Sequence, residues 1–76
     1  MTEFKYDVFE AMTTKDMYSI GVFKLVDEKV VASKMFPIMY NDFHEARENG
    51  RLLIHKYYRM DKEGIDPVDK YEGWVL

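Results

Sequence analysis

The stretch "PIMYNDFHEARENGRLLIHKYYRM", residues 37–60, decides the fold, because it holds the helix signal of the chain and the segment that follows it. Asn41 or Asp42 can cap a helix, and Asp42 with Glu45 has the spacing of a capping box. Gly50 stands where a helix commonly ends. The sequence therefore predicts one short helix of about ten residues, which must dock on a sheet because it is too short to be stable alone.

Residues 51–60, "RLLIHKYYRM", are aliphatic and aromatic with partial alternation, which is typical of a strand. In that strand one face would carry Leu52, Ile54, Tyr58 and Met60, interrupted by Lys56. The other face would carry Leu53, His55, Tyr57 and Arg59. We therefore predict that the helix leads the chain into a fourth strand.

Three earlier segments also read as strands, at residues 3–12, 17–26 and 30–36, with polar turns at 13–16 and 27–29. Gly21 inside the second segment indicates a bulge or close packing by a large neighbour. Together the elements predict an α+β fold in a small single domain, residues 1–60. It would have a four-stranded antiparallel sheet, element order β-β-β-α-β, and one short helix packed on one face.

The sheet face opposite the helix is predicted to be too apolar to stay in contact with water. It would carry five large side chains: Phe9, Phe23, Leu25, Met35 and Tyr57. We interpret this face as a homodimer interface or another contact surface, although a register slip of one residue would exchange the two faces.

The last sixteen residues, "DKEGIDPVDKYEGWVL", concentrate the negative charge of the chain. They contain five carboxylates against Lys62 and Lys70, whereas residues 1–60 hold nine of each sign, so the net charge of −3 resides in this segment. Pro67 opposes a regular helix. We predict an irregular acidic tail, residues 61–76, that either packs on the domain through Trp74 or engages a partner with a basic surface. The predicted partner-binding residues are Tyr71, Trp74, Leu76, Asp66, Asp69 and Glu72.

Catalytic and metal-binding patterns are weak in this sequence. There is no cysteine, the serines and threonines lack a glycine elbow or a paired base, and His44 and His55 have no third ligand in a recognised spacing. Residues 61–72 have the length of a calcium loop but carry Asp66 where its sharp turn requires glycine. We therefore predict a protein that is not an enzyme and that uses no cofactor or metal.

Charge and hydropathy also bear on partners and location. Net charge −3 argues against nucleic acid as the main partner. The alternative is a nucleic-acid binder that uses residues 51–60, with Arg51, Lys56 and Arg59 beside Tyr57 or Tyr58. Residues 1–11 lack a signal-peptide pattern and no apolar run is long enough to cross a bilayer, so the expectation is a cytoplasmic protein without membrane contact.

The predicted hairpin, helix and strand over residues 17–60, in a short acidic chain without cysteine, resemble small phage proteins that disable host enzymes, such as uracil-DNA glycosylase inhibitors. The resemblance implies a stoichiometric inhibitor of a DNA-handling enzyme in an infected host cell. The residues themselves predict a non-enzymatic protein-interaction module that binds and inhibits or regulates a larger protein. A structural subunit of a larger assembly is a further alternative.

Overall fold

The computed structural model of the protein describes residues 1–12 and 15–76. Its elements in chain order are β1 (Thr2–Glu10), β2 (Tyr18–Val26), β3 (Lys29–Met35), α1 (Phe43–Lys62) and α2 (Pro67–Lys70). The three predicted strands are thus present, with slightly different ends. The predicted turn at 13–16 lies partly outside the described residues.

The sheet is a three-stranded antiparallel meander in the order β1-β2-β3. The predicted turn between β2 and β3 consists of two residues, Asp27 and Glu28, with φ of 51° and 69°. Positive φ at both central residues is the signature of a type I′ turn, whose twist matches that of the flanking strands. This turn aligns the two strands, and one irregularity between Lys24 and Leu25 shifts their register.

The prediction of a fourth strand at 51–60 is wrong, because these residues continue α1 without interruption to Lys62. The helix begins where expected: Asp42 is the N-cap, and its Oδ1 accepts a hydrogen bond from the backbone N–H of His44 at 3.0 Å. Its buried residues recur at intervals of three, four and seven, which places them on one helical stripe. They are Ala46, Gly50, Tyr57 and Met60. The helix has 20 residues rather than about ten.

Gly50 lies inside the helix and does not end it. A Cβ built at Gly50 would lie within 3.0 Å of three ring carbons of Tyr6. The aromatic ring of β1 therefore occupies the space that any other side chain at position 50 would need. Glycine destabilises a helix interior by about 1 kcal/mol relative to alanine. At position 50 the absence of a side chain allows the helix to lie close to the sheet.

The hydrophobic core lies between α1 and the face of the sheet that points toward it. The buried cluster comprises Phe4, Ile20, Val22, Ala46, Tyr57 and Met60. Tyr57 belongs to this cluster, with its ring centroid 5.7 Å from that of Phe4. Its predicted place on the opposite sheet face is therefore wrong, because the residue is on a helix and points to the core.

The C-terminal segment, residues 61–76, is not an irregular tail. Residues 61 and 62 complete α1, and α2 begins with Pro67 in its first turn. Proline is well tolerated there because the first N–H groups of a helix have no partner within the helix. Further on, Val75 exchanges two backbone hydrogen bonds with Ser33 of β3, at 2.7 and 2.9 Å.

Candidate protein-binding surface

The sheet face that points away from α1 is named the outer face here. It consists of Phe9, Phe23, Leu25, Val30 and Met35 with the polar residues Lys5, Asp7 and Ser33. The helix α1 packs on the other face, against Phe4, Ile20 and Val22. Within residues 1–12 and 15–76 no helix packs on the outer face, and Met35 is 54% exposed there.

The middle of the outer face is flattened by Gly21. A Cβ at this position would lie 2.8 Å from both Met35 Sδ and Phe9 Cε2. The two large side chains therefore meet over the glycine, as the sequence predicts for close packing by a large neighbour. Both side chains cover Gly21, which brings apolar groups of β1 and β3 together over β2.

Next to these side chains lies a shallow hollow of about 320 Å³. Its lining includes the aromatic ring of Phe23 and the aliphatic side chains of Leu25 and Val30, with Lys5 and Asp7 on one side. A hollow with apolar walls and charged groups of both signs at its rim suits a protruding side chain of another protein better than a charged ligand.

Both edges of the sheet already hold hydrogen bonds. On β1, the Tyr58 hydroxyl accepts from the N–H of Phe4 at 3.0 Å, and Asp7 Oδ1 accepts from the N–H of Val8 at 3.1 Å. On β3, Val75 occupies the N–H and the carbonyl of Ser33. Side chains on β1 and a short backbone segment on β3 thus occupy backbone groups with which another strand would pair. These hydrogen bonds occupy part of each edge, whereas no helix of the described residues covers the outer face.

Val75 enlarges the outer face beyond the three strands. Residues directly opposite each other in an antiparallel pair place their side chains on the same face, so the side chain of Val75 lies beside that of Ser33. Val75 is 68% exposed. Neither Val75 nor Val30 was among the predicted contact residues; Val75 could not be found from sequence, since only its pairing with Ser33 brings it to the sheet.

The predicted partner-binding residues are divided by the structure. Tyr71 and Trp74 are partly buried and pack against the core, with the Trp74 ring centroid 5.7 Å from that of Tyr57. By contrast, Asp69, Glu72 and Leu76 are exposed. The aromatic residues of the segment therefore attach it to the domain, and its acids and final residue face outward.

Asp66 joins the C-terminal segment to the sheet. Its Oδ2 accepts a hydrogen bond from Lys24 Nζ at 2.7 Å, and its Oδ1 caps α2 by accepting from the N–H of Val68 at 3.0 Å. Burial acts to raise the pKa of Asp66, but the hydrogen bonds from Lys24 and Val68 and the charge of Lys24 outweigh it and lower the pKa. Asp66 is thus held as a carboxylate by the domain itself.

Two lysines hold Tyr71 in place. Lys56 Nζ of α1 lies 4.8 Å from the centroid of its ring, and Lys34 Nζ of β3 lies 5.8 Å from it. These are distances at which a cation is attracted to an aromatic face. The ring centroid of Tyr57 lies 6.4 Å from that of Tyr71. Burial raises the pKa of Tyr57 to about 12, with a smaller contribution from Tyr71.

The residues predicted for nucleic-acid binding do not remain together. Tyr57 is buried and Lys56 lies over Tyr71, so these two belong to the packing of the domain. Arg51 and Arg59 are exposed on α1, and Arg51 forms an ion pair with Glu48 one turn earlier. Residues 51–60 form a helix and not the predicted strand. The basic side chains that lie side by side are therefore different from those grouped in the prediction.

In the described ranges 1–12 and 15–76, no three His, Asp or Glu side chains come together as a metal site. None of the helices found there is both long and apolar enough to cross a membrane. Comparison of the chain with protein-family models, curated proteins and solved structures finds no match.

Proposed function

We propose that this chain is a non-enzymatic protein-interaction module that binds a larger protein through its outer face and regulates that protein by covering part of its surface. One observation carries the proposal: the sheet has an exposed apolar face over which Phe9 and Met35 meet, while its edges hold hydrogen bonds. Contiguous apolar surface of this kind is characteristic of contact sites.

The size of the outer face favours a larger partner over a second copy. β1 and β2 have nine residues and β3 has seven; at about 3.3 Å per residue and about 4.8 Å between strands they cover roughly 400 Å². This footprint, which includes the polar residues of the face, lies within the range of about 300–600 Å² for the largest patch on a typical monomer, and it is about half of the roughly 800 Å² that each partner contributes to a stable interface. Two copies joined only by this face would form a weak dimer, whereas a larger protein can also cover the rim.

Charge supports a partner with basic residues around an apolar patch. Asp69 and Glu72 are exposed on the C-terminal segment, and the backbone pairing of Val75 with Ser33 brings this segment to the border of the outer face. Exposed carboxylates near an apolar contact increase the rate of encounter with a basic surface. Asp66 contributes little to this attraction of a basic surface, because it forms an ion pair with Lys24.

The test compares substitutions on the outer face with matched substitutions elsewhere. Met35→Lys and Val75→Lys place a charge on the outer face, while Leu52→Lys and Ile38→Lys do the same at exposed apolar positions off that face. The full-length variants are used to capture partners from cells of the source organism, and a captured protein is then purified for calorimetric titration.

We expect the outer-face variants to lose at least about tenfold in affinity and the control variants to lose little, since a charge at a desolvated contact has no partner. Equal binding by all four variants would exclude the outer face as the contact surface. Light scattering that gives the mass of two chains, and of one chain for Met35→Lys, would show instead that the occupant is a second copy.

The resemblance to phage inhibitors does not carry this proposal. It depends on a strand at residues 51–60, and that segment is the second half of α1. Inhibition of a host DNA-handling enzyme is retained only as one form of the proposed activity, to be decided by the identity of the captured protein. Catalysis and a purely structural role stay outside the proposal.

A further inference from the structure

The exposed side of α1 carries a row of basic side chains. Arg47, Arg51, His55 and Arg59 follow one another at intervals of four residues, and Lys62 comes three residues later; all five are exposed. Residues four apart on a helix lie on one side, with Cβ atoms about 6 Å apart. We name these five residues the basic ridge; it spans about 22 Å along the helix.

The ridge separates the charges of the molecule. It contains four permanent cations, and Glu48, which pairs with Arg51, is the carboxylate that shares its side of the helix. The ridge with Glu48 therefore carries +3, and because the whole chain carries −3, the remaining residues carry −6. Such a dipolar arrangement orients the helix toward an anionic surface even though the net charge is negative.

We propose that the basic ridge of α1 binds the phosphate backbone of double-stranded nucleic acid. The helix packs on the sheet along one stripe only, so its opposite side projects from the domain. An α-helix with its side chains is 10–12 Å across, which fits a major groove about 12 Å wide. Cations in a row on a projecting helix then lie beside consecutive phosphates.

Other anionic or amphipathic partners fit the ridge less well. An acidic polypeptide would have to supply carboxylates along the whole ridge, whereas a duplex carries a negative charge for about every 1.7 Å of its axis. A membrane-surface helix needs a free apolar side, but the apolar side of α1 faces the core. Single strands need a series of exposed aromatic rings for stacking; the ridge has Tyr58 beside it, 40% exposed, and the Tyr58 ring already makes an edge contact with Phe4 at 5.5 Å between centroids.

The experiment measures fluorescence anisotropy of an end-labelled duplex of about 20 base pairs with the full-length chain, from about 20 to 200 mM salt. With three to four phosphates contacted, the logarithm of the binding constant should fall with the logarithm of salt with a slope of about −3. The affinity expected is that of non-specific binding, since the ridge offers no fixed set of base contacts.

The decisive variant is Arg47→Gln, Arg59→Gln, Lys62→Gln. Its matched control is Lys15→Gln, Lys29→Gln, Lys70→Gln, which removes the same charge from exposed positions outside α1. We expect the ridge variant to bind at least about tenfold more weakly with a slope near −1, and the control to bind within about twofold of the parent. Circular dichroism verifies that both variants are folded.

Three outcomes would overturn the proposal. The first is no anisotropy change at low salt. The second is an equal loss in both triple variants, which would show a dependence on net charge alone. The third is competition by polyglutamate as effective as that by unlabelled duplex at equal charge, which would assign the ridge to an acidic polypeptide.

Discussion

The ring of Tyr6 on β1 packs directly against Gly50 of α1. Three ring carbons of Tyr6 lie within 3.0 Å of the position that a Cβ of residue 50 would occupy. The contact explains why a glycine stands in the middle of a 20-residue helix, and it sets the distance at which α1 packs over the core.

Gly50→Ala is expected to destabilise the protein by about 1–3 kcal/mol, because overpacking at Tyr6 outweighs the gain of about 1 kcal/mol in helix propensity. Urea unfolding followed by circular dichroism measures the change. In a Tyr6→Ala background the same substitution should become stabilising, since the ring is gone. If Gly50→Ala stabilises the parent protein, the close contact does not exist.

Asp66 should give the protein a specific acid sensitivity. Its pKa is lowered in the folded state from a usual value of 3.8, so the carboxylate stabilises the fold above that value and this contribution is lost as pH falls through the lower, folded-state pKa. Between about pH 5 and pH 2 the free energy of unfolding should therefore fall more steeply in the parent than in Asp66→Asn. Asparagine keeps the cap of α2, so the comparison isolates the charge.

Parallel pH profiles for the parent and Asp66→Asn would contradict the ion pair between Lys24 and Asp66. Lys24→Met provides the second arm, because it removes the cation but keeps an apolar stem at a side chain that is only 15% exposed. This variant should lose the part of the acid-dependent stability that comes from Lys24 and keep the part that comes from the hydrogen bond with Val68.

The fluorescence of Trp74, the single tryptophan of the chain, reports whether Tyr71 holds the C-terminal segment on the domain. Tyr71→Phe keeps the ring between Lys34 and Lys56 and should change stability by less than about 0.5 kcal/mol, whereas Tyr71→Ala should cost about 2–4 kcal/mol. Release of the segment would shift the Trp74 fluorescence to longer wavelength in the alanine variant alone. An unchanged spectrum in Tyr71→Ala would mean that Trp74 docks independently of Tyr71.

The turn at Asp27 and Glu28 offers a stabilising substitution. Glu28 adopts a φ of 69°, a left-handed conformation that costs a non-glycine residue about 1–2 kcal/mol. Glu28→Gly removes this strain and should raise the free energy of unfolding by about 0.5–1 kcal/mol, after allowance for the greater freedom of glycine in the unfolded chain. Thermal unfolding provides the measurement, and Lys29→Gly, within β3, is the control that should destabilise.

The first half of the chain was predictable because its signals are local. Alternating side chains at 3–12 and 17–26 predicted strands with Phe9, Phe23 and Leu25 on the face opposite the helix, and the structure places these residues on the outer face. The cap at Asp42 and the turn near Asp27 also depend on neighbouring residues only. Such signals retain their meaning wherever the segment lies in the fold.

The second half was mispredicted because its pattern fits two periods. In "RLLIHKYYRM" the apolar residues alternate, yet Leu53, Tyr57 and Met60 also recur at helical spacing. Gly50 also favoured a helix end at this point, because glycine is common just after the last residue of a helix. Because the strand period was assigned to this segment, Tyr57 was predicted on the outer face and not in the core. The basic ridge was not recognised, since its residues lie on one side only in a helix.

The sequence by itself determined the class of the fold, the three-stranded meander, the start of α1 and the apolar character of the outer face, because backbone preference and side-chain alternation act between near neighbours. Only the tertiary structure decided that α1 passes through Gly50, that Asp66 and Tyr71 attach the C-terminal segment to the domain, and that Val75 joins the sheet. The physical reason is contact over long sequence separation. Tyr6 fills the space beside Gly50, Lys24 neutralises Asp66, and Ser33 pairs with Val75, and no local pattern specifies such partners.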